Sequence, residues 1–311
     1  MTLSLLLLAC TPPAENESKP GDNQDSPVVE EGPAEPAELS SGECPDFSTS
    51  GTSTFLSSDE ERQVTIILPS TPGEAMPVNF FFHGVADPAS TDNPGGDTAR
   101  GLQLQRLADQ TNTVWIVPDA PVQNLLGFMN VYLWDLALER QNDLVLYDDL
   151  RSCAAQNLDI DLSRLSAVGF SGGALWTTVI AVHRGDTLAT AVELSGGSDI
   201  EAPGYEVLLS EYSSPATEMP VLLTSGAEGV DVWPSTQLAV INFATATDTL
   251  QAELLTDQHF VARCKDEDGH VMDQRDWDVA LDWLAVHQFG EESPFVSGDL
   301  GVHADWCAVA E

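Results

Sequence analysis

The sequence predicts an α/β protein, a mostly parallel central sheet with helices on both faces. Three observations carry that expectation. Short apolar runs recur along the chain at Gln63–Leu68, Val78–Phe82, Thr113–Val117, Leu165–Phe170, Leu188–Leu194, Val221–Thr224 and His259–Arg263. Several are continuous rather than alternating, as expected of strands buried on both faces. Between them, Leu146, Leu150, Cys153 and Ala154 fall at i, i+4, i+7 and i+8, and Trp277, Ala280, Leu281, Leu284 and Ala285 repeat that spacing, the pattern of helices with one apolar face. The alternation runs without a 20–50-residue repeat, which points to a single domain rather than a solenoid. A ligand is then expected outside the carboxyl ends of the strands. The stretch Ser195–Pro220 breaks the rhythm and reads either as an excursion shaping a substrate pocket or as a plain surface loop.

The chain has 311 residues, 42% of them hydrophobic, and a formal net charge of −39 from 11 basic and 50 acidic side chains. The apolar fraction excludes a wholly disordered chain, and there is no apolar run long enough to span a bilayer. So negative a field repels phosphate backbones, which excludes nucleic acid as a natural partner. Only two lysines, Lys19 and Lys265, accompany nine arginines. Such acidity fits adaptation to high salt, where screening relieves self-repulsion, and equally an acidic secreted surface.

Residues 1–10 read as the end of an export signal. Leu7-Leu8-Ala9-Cys10 resembles a bacterial lipobox, with Cys10 as the lipid attachment site; an upstream start codon would supply the missing basic region. Residues 11–42 hold six prolines, eight acidic residues and no aromatic, the composition of a disordered tether. Residues 43–311 form the expected folded domain. The remaining cysteines, Cys44, Cys153, Cys264 and Cys307, suggest two disulfides in an exported domain. Cys44 and Cys307 bracket the domain, so the expected pairs are Cys44–Cys307 and Cys153–Cys264. No C-x-x-C suggests zinc, and no metal or organic cofactor is implied.

The sharpest motif is Gly169-Phe170-Ser171-Gly172-Gly173, directly after one expected strand and before an expected helix, Ala174–His183. A nucleophile on a tight strand-to-helix turn needs strained backbone angles and small neighbours two residues away. The helix N-terminus behind it favours negative charge. Ser195-Gly196-Gly197 also follows a strand, but Glu193 stands where the first glycine belongs, and it reads as a loop. A hydrolytic serine in this architecture requires an acid and then a histidine further along the chain. His270, in Asp268-Gly269-His270 between the last strand and the last helix, is the expected base. Asp231 is the expected acid, with Glu228 and Asp199 as alternatives. The oxyanion hole should combine the N–H of Gly172 with that of Val85, Gly84 being the fallback. His83 reads as a structural turn residue.

Together, Phe81-Phe82-His83-Gly84, Asp148-Asp149-Leu150, the Gly-Phe-Ser-Gly-Gly motif and Asp-Gly-His resemble the α/β-hydrolase superfamily over roughly residues 60–290. Within it, the chain looks most like the polyhydroxybutyrate depolymerase and feruloyl-esterase-like branch in its secreted bacterial lipoprotein form. Asp143-Leu144-Val145 through Thr177-Thr178 carries most of that likeness. The resemblance implies an α/β-hydrolase fold with Ser171 as nucleophile, His270 as base and an acid from the loop holding Asp231. Val85 stands where this branch often has Cys, and the loop from Gly226 to Asp231 is longer than the usual Gly-x-x-Asp. The expected function is an exported, lipid-anchored serine esterase acting on a small-molecule or polymeric ester. A serine peptidase of the same fold and a non-catalytic binding lipoprotein are the alternatives.

Overall fold

The computed structural model describes residues 32–125, 129–200, 211–214 and 217–311. Its elements, in chain order, are β1 (Gly51–Ser57), β2 (Glu60–Ile67), β3 (Met76–Phe82), α1 (Pro94–Gly101), α2 (Leu104–Thr111), β4 (Val114–Pro118), β5 (Val122–Leu125), β6 (Met129–Tyr132), α3 (Asn142–Asn157) and β7 (Ile160–Phe170). There follow α4 (Gly172–Arg184), β8 (Thr190–Leu194), β9 (Pro220–Ser225), β10 (Val232–Ser235), β11 (Leu238–Asn242), α5 (Phe243–Thr256), β12 (Phe260–Lys265), α6 (Gln274–Leu284) and β13 (Cys307–Val309). Nine strands make one sheet in the order β1-β2-β4-β3-β7-β8-β9-β12-β13. The six from β4 to β12 run parallel, and antiparallel pairings flank them at both edges. β5–β6 and β10–β11 are separate hairpins. All seven expected strands are present.

Side-chain alternation divides the core into two layers. Phe80 and Phe82 of β3, Ala167 of β7 and Leu223 of β9 join Leu150, Trp176 and Leu250 on the face covered by α3, α4 and α5. Phe81, Val168 and Leu222 join Leu107, Trp277 and Trp283 on the face covered by α1, α2 and α6. Both faces being covered is why these strands read as unbroken apolar runs. From β3 the chain crosses outward to β4, then returns past β3 to β7. That reversal opens a crevice beyond the carboxyl ends of β3 and β7, where a doubly wound sheet binds its ligand.

The ends of the chain depart from expectation. The structure pairs Cys44 with Cys153 and Cys264 with Cys307, not Cys44 with Cys307 and Cys153 with Cys264. Cys153 lies in α3 on one face of the sheet, whereas Cys264 and Cys307 are register partners on β12 and β13 with side chains in the opposite layer. Cys44 packs in the α3 layer. Since β1 and β13 are the two edges of nine strands spaced about 4.8 Å apart, a bridge tolerating about 7 Å between Cα atoms cannot span them. Each disulfide instead ties one terminal segment to the element beneath it.

Residues 34–41, within the stretch whose composition suggests a tether, lie bonded along the domain. Ala34 N–H donates to the Asp186 carbonyl (2.8 Å), Ser152 Oγ donates to the Ala37 carbonyl (2.9 Å), and the Asp149 carboxylate accepts from Ser40 N–H (2.8 Å) and Ser57 Oγ (2.7 Å). The lipobox-like Cys10, the start of the tether, and residues 201–210, 215 and 216 of the Ser195–Pro220 stretch lie outside the described residues. Among the described residues no helix is long and apolar enough to cross a membrane. Cys44 and Cys153 are 109 residues apart, so replacing both by Ser should lower unfolding stability by about 4–5 kcal/mol through loss of the loop constraint. Urea titration measures this, and a non-reducing peptide map should recover the two linked pairs.

Candidate active site

The chain leaves β7 at Phe170, and Ser171 takes φ 57° and ψ −124° before α4 begins at Gly172. A positive φ at a residue with a side chain is strained and persists only where the surroundings impose it. Here steric necessity imposes it. A Cβ on Gly173 would lie 1.9 Å from the Phe82 carbonyl oxygen, and one on Gly169 would lie 2.1 Å from the Gly173 oxygen. The two glycines let α4 start directly against β3 and β7. Ser171 N–H donates to the Leu194 carbonyl (3.0 Å), tying the turn to β8.

His270 reaches over this turn from the loop between β12 and α6. Its Nε2 is 2.7 Å from Ser171 Oγ, and its Nδ1 is 2.8 Å from Asp231 Oδ1. Asp231 is fully buried, and its Oδ2 accepts from Ser195 Oγ (2.9 Å) and Gly226 N–H (3.0 Å). With Asp231 accepting, Nδ1 donates and Nε2 is free to accept the serine hydroxyl hydrogen. Glu228 points to solvent, and Asp199 is exposed, 3.4 Å from Tyr212 N–H. Of the three acids open in the sequence, Asp231 is the one that meets His270. The loops of acid and base are joined directly: Ala227 N–H donates to the Asp268 carbonyl (3.1 Å), and a Cβ on Gly226 would lie 2.1 Å from that oxygen.

The backbone amides of Gly172 and Val85 come together beside the serine. Gly172, at the first position of α4, has no intrahelical acceptor for its N–H. A Cβ placed on it would lie 3.4 Å from Val85 N. His83 aims the second amide. Ala120 N–H donates to its Nε2 (3.0 Å), so Nδ1 carries the hydrogen and donates to the Gly84 carbonyl (2.6 Å). Because C=O and N–H point oppositely across a trans peptide, engaging that carbonyl turns the Val85 N–H the other way. Burial pushes the His83 pKa down to about 4, so the ring stays neutral in that role. The buried Trp134 donates from Nε1 to the His83 carbonyl (2.9 Å) and ties the loop to the core. Among the described residues, neither amide has a hydrogen-bond partner, and no cluster of His, Cys, Asp and Glu is placed to hold a metal ion.

Solved structures share this fold. Native pOPH superposes with a TM-score of 0.64 at 18% identity, covering 86% of this chain and 97% of its own. A thermostable esterase gives 0.55 at 17% identity, covering 77% and 63%. An S-formylglutathione hydrolase from Agrobacterium tumefaciens gives 0.55 at 16% identity, covering 76% and 94%. The fold is that of the α/β-hydrolases. No family model matches the sequence, and no curated protein matches it.

Sequence reasoning passed over the contribution of β8. Ser195 sits at φ 52° one strand from Ser171, its N–H bonded to the Thr224 carbonyl (3.0 Å) as that of Ser171 is to Leu194. Its hydroxyl holds the acid rather than attacking anything. The signal was its position, a serine at the end of the strand beside that of Ser171. Glu193, the residue that disqualified this motif, is fully buried. Its Oε2 accepts from Gly197 N–H (3.0 Å), and its Oε1 bonds Thr178 Oγ1 (2.8 Å), which also reaches the Gly197 carbonyl (3.1 Å). Burial pushes its pKa from 4.5 up to about 8. Below pH 4.5 the folded and unfolded chains both hold this proton, and its contribution to stability is complete. Between 4.5 and about 8 only the unfolded chain releases it, so stability falls with rising pH. Asp119 and Asp276, each pushed by burial to about 6, act in the same sense over the lower part of that window. Glu193→Gln mimics the protonated acid and should flatten the fall in urea midpoint between pH 6 and 8; an unchanged slope would exclude Glu193 as its source.

Proposed function

We propose that the chain is an exported serine esterase in which Ser171 is the nucleophile, His270 the base and Asp231 the orienting acid. The observation that carries this reading is the unbroken contact from Asp231 through His270 to Ser171, at 2.8 and 2.7 Å. Ser171 Oγ attacks the ester carbonyl as its proton passes to His270 Nε2. The resulting oxyanion accepts from the Gly172 and Val85 amides, fixed donors that need no reorganisation. His270 then gives its proton to the departing alkoxide, leaving an acyl-enzyme. A water molecule, deprotonated by the same nitrogen, releases the acid and restores Ser171.

The polyhydroxybutyrate depolymerase and feruloyl-esterase-like branch, with a small or polymeric ester as substrate, remains the family proposal from the motifs. The esterase and hydrolase names carried by structural neighbours support ester hydrolysis over peptide cleavage. Two disulfides support passage to an oxidising compartment, and Leu7-Leu8-Ala9-Cys10 supports a lipid anchor in the bacterial envelope.

Hydrolysis of p-nitrophenyl acetate and butyrate by the full chain, at low and high salt, tests the reading. Ser171→Ala should lower kcat/KM by at least about 10⁴-fold and Asp231→Asn by about 10³–10⁴-fold, with circular dichroism unchanged. Equal rates in wild type and Ser171→Ala would remove the serine from the chemistry. Cleavage of aminoacyl amides with no ester turnover would favour the peptidase. Cys10→Ser should move the expressed protein from the membrane to the soluble fraction.

A further inference from the structure

Two aromatic rings bracket the imidazole of His270. Phe243, the first residue of α5, stacks on it with centroids 4.1 Å apart and planes 8° from parallel. Phe170, the last residue of β7 and the neighbour of Ser171, stacks at 5.1 Å and 20°. The phenyl rings make no ring contact with each other, which puts them on opposite faces of the imidazole. Phe243 is buried, and its N–H donates to the Asp231 carbonyl oxygen at 2.9 Å. One residue thus holds the backbone of the acid and one face of the base.

The chemistry of the ring gives this arrangement a consequence. Apolar enclosure alone disfavours an imidazolium by removing water. A phenyl face acts the other way, since its negative quadrupole attracts a cation within about 6 Å of the centroid. We propose that Phe170 and Phe243 form a π clamp, positioning residues that fix the His270 plane between Ser171 and Asp231 and favour the imidazolium as the serine proton arrives. The proposal rests on the serine-esterase reading above.

The charged groups on the elements next to the ring belong to neither phenylalanine. They are Asp231 and the exposed Glu228 in the acid loop, Asp266 and Asp268 in the loop of His270 itself, Asp273 at the cap of α6, and Arg263 on β12. The segment after β3 carries the neutral His83 and, further along, Asp87 and Asp92, and α5 brings Asp248, which is paired with Arg263 (3.2 Å) and Lys265 (2.7 Å).

Phe243→Leu and Phe170→Leu keep an apolar side chain and remove a π face, while Phe170→Tyr keeps it. Two readouts are taken on the full chain: the NMR titration midpoint of His270, its resonance identified by loss in His270→Gln, and the pH profile of kcat/KM on p-nitrophenyl butyrate. Both leucine variants should lower the midpoint by about 0.5–1 pH unit and carry the acid limb of kcat/KM the same way. Turnover should drop about 10-fold with KM nearly unchanged, and Phe170→Tyr should keep wild-type values. Folded leucine variants whose midpoint stays put or rises would overturn the clamp and leave the rings as packing. Phe170 is partly exposed, so its variants decide the matter should Phe243→Leu fail to fold. The titration reads the ring even in a chain that hydrolyses no ester, so failure of the clamp is distinguishable from failure of the esterase reading.

Discussion

The close approach of Gly173 to the Phe82 carbonyl is the constraint on which the site depends. No side chain fits between them, so α4 begins against the end of β3, and Ser171 must take a backbone conformation that serine otherwise avoids. That strain lifts the hydroxyl out of the sheet's end and places it ahead of a helix N-terminus. It also sets the amide of Gly172 against that of Val85, because α4 and the loop after β3 meet at the same point. The cost is borne by a packed core of continuous apolar strands, which over-determines the turn.

Around that point the fold invests buried polar groups in holding loops rather than in the sheet. His83 orients one peptide plane by accepting from Ala120 and donating to Gly84. Ser195 and Gly226 saturate the outer oxygen of Asp231, and Glu193 with Thr178 pins the Gly197 turn from which that serine hangs. Each such group would be expensive to bury unsatisfied. Satisfied, these groups limit the positions the acid and base loops can take. The direct bond from Ala227 to Asp268 ties the loop of Asp231 to that of His270, whose two ring nitrogens are both bonded.

The surface obeys a different balance. With 50 acidic and 11 basic residues, self-repulsion opposes compaction, and salt relieves it. The two disulfides lie where such a chain would fray first, at the segment before β1 and at the final strand. Residues 34–41 add hydrogen bonds along α3 to the same effect.

The sequence by itself determined the layered α/β architecture and the tight strand-to-helix turn at Ser171. Both depend on short-range physics: apolar runs flag strands covered on two faces, and Gly-x-Ser-x-Gly is legible because a Cβ at Gly169 or Gly173 would strike backbone close by in sequence or directly beneath. The chain order of Ser171, Asp231 and His270 followed from the same architecture. The edge strands β1 and β13 escaped notice because one alternates polar residues and the other has three residues. Only the tertiary structure decided which acid meets His270, since Asp231, Glu228 and Asp199 differ in nothing local and are separated by how their loops fold against Gly226 and Asp268. It likewise decided the disulfides, which depend on which face and which edge of nine strands each cysteine reaches. The pairing of Ser195 with Asp231 and the stacking of Phe170 and Phe243 on His270 belong there too, because contacts between residues tens of positions apart are set by strand order, which sequence periodicity does not encode.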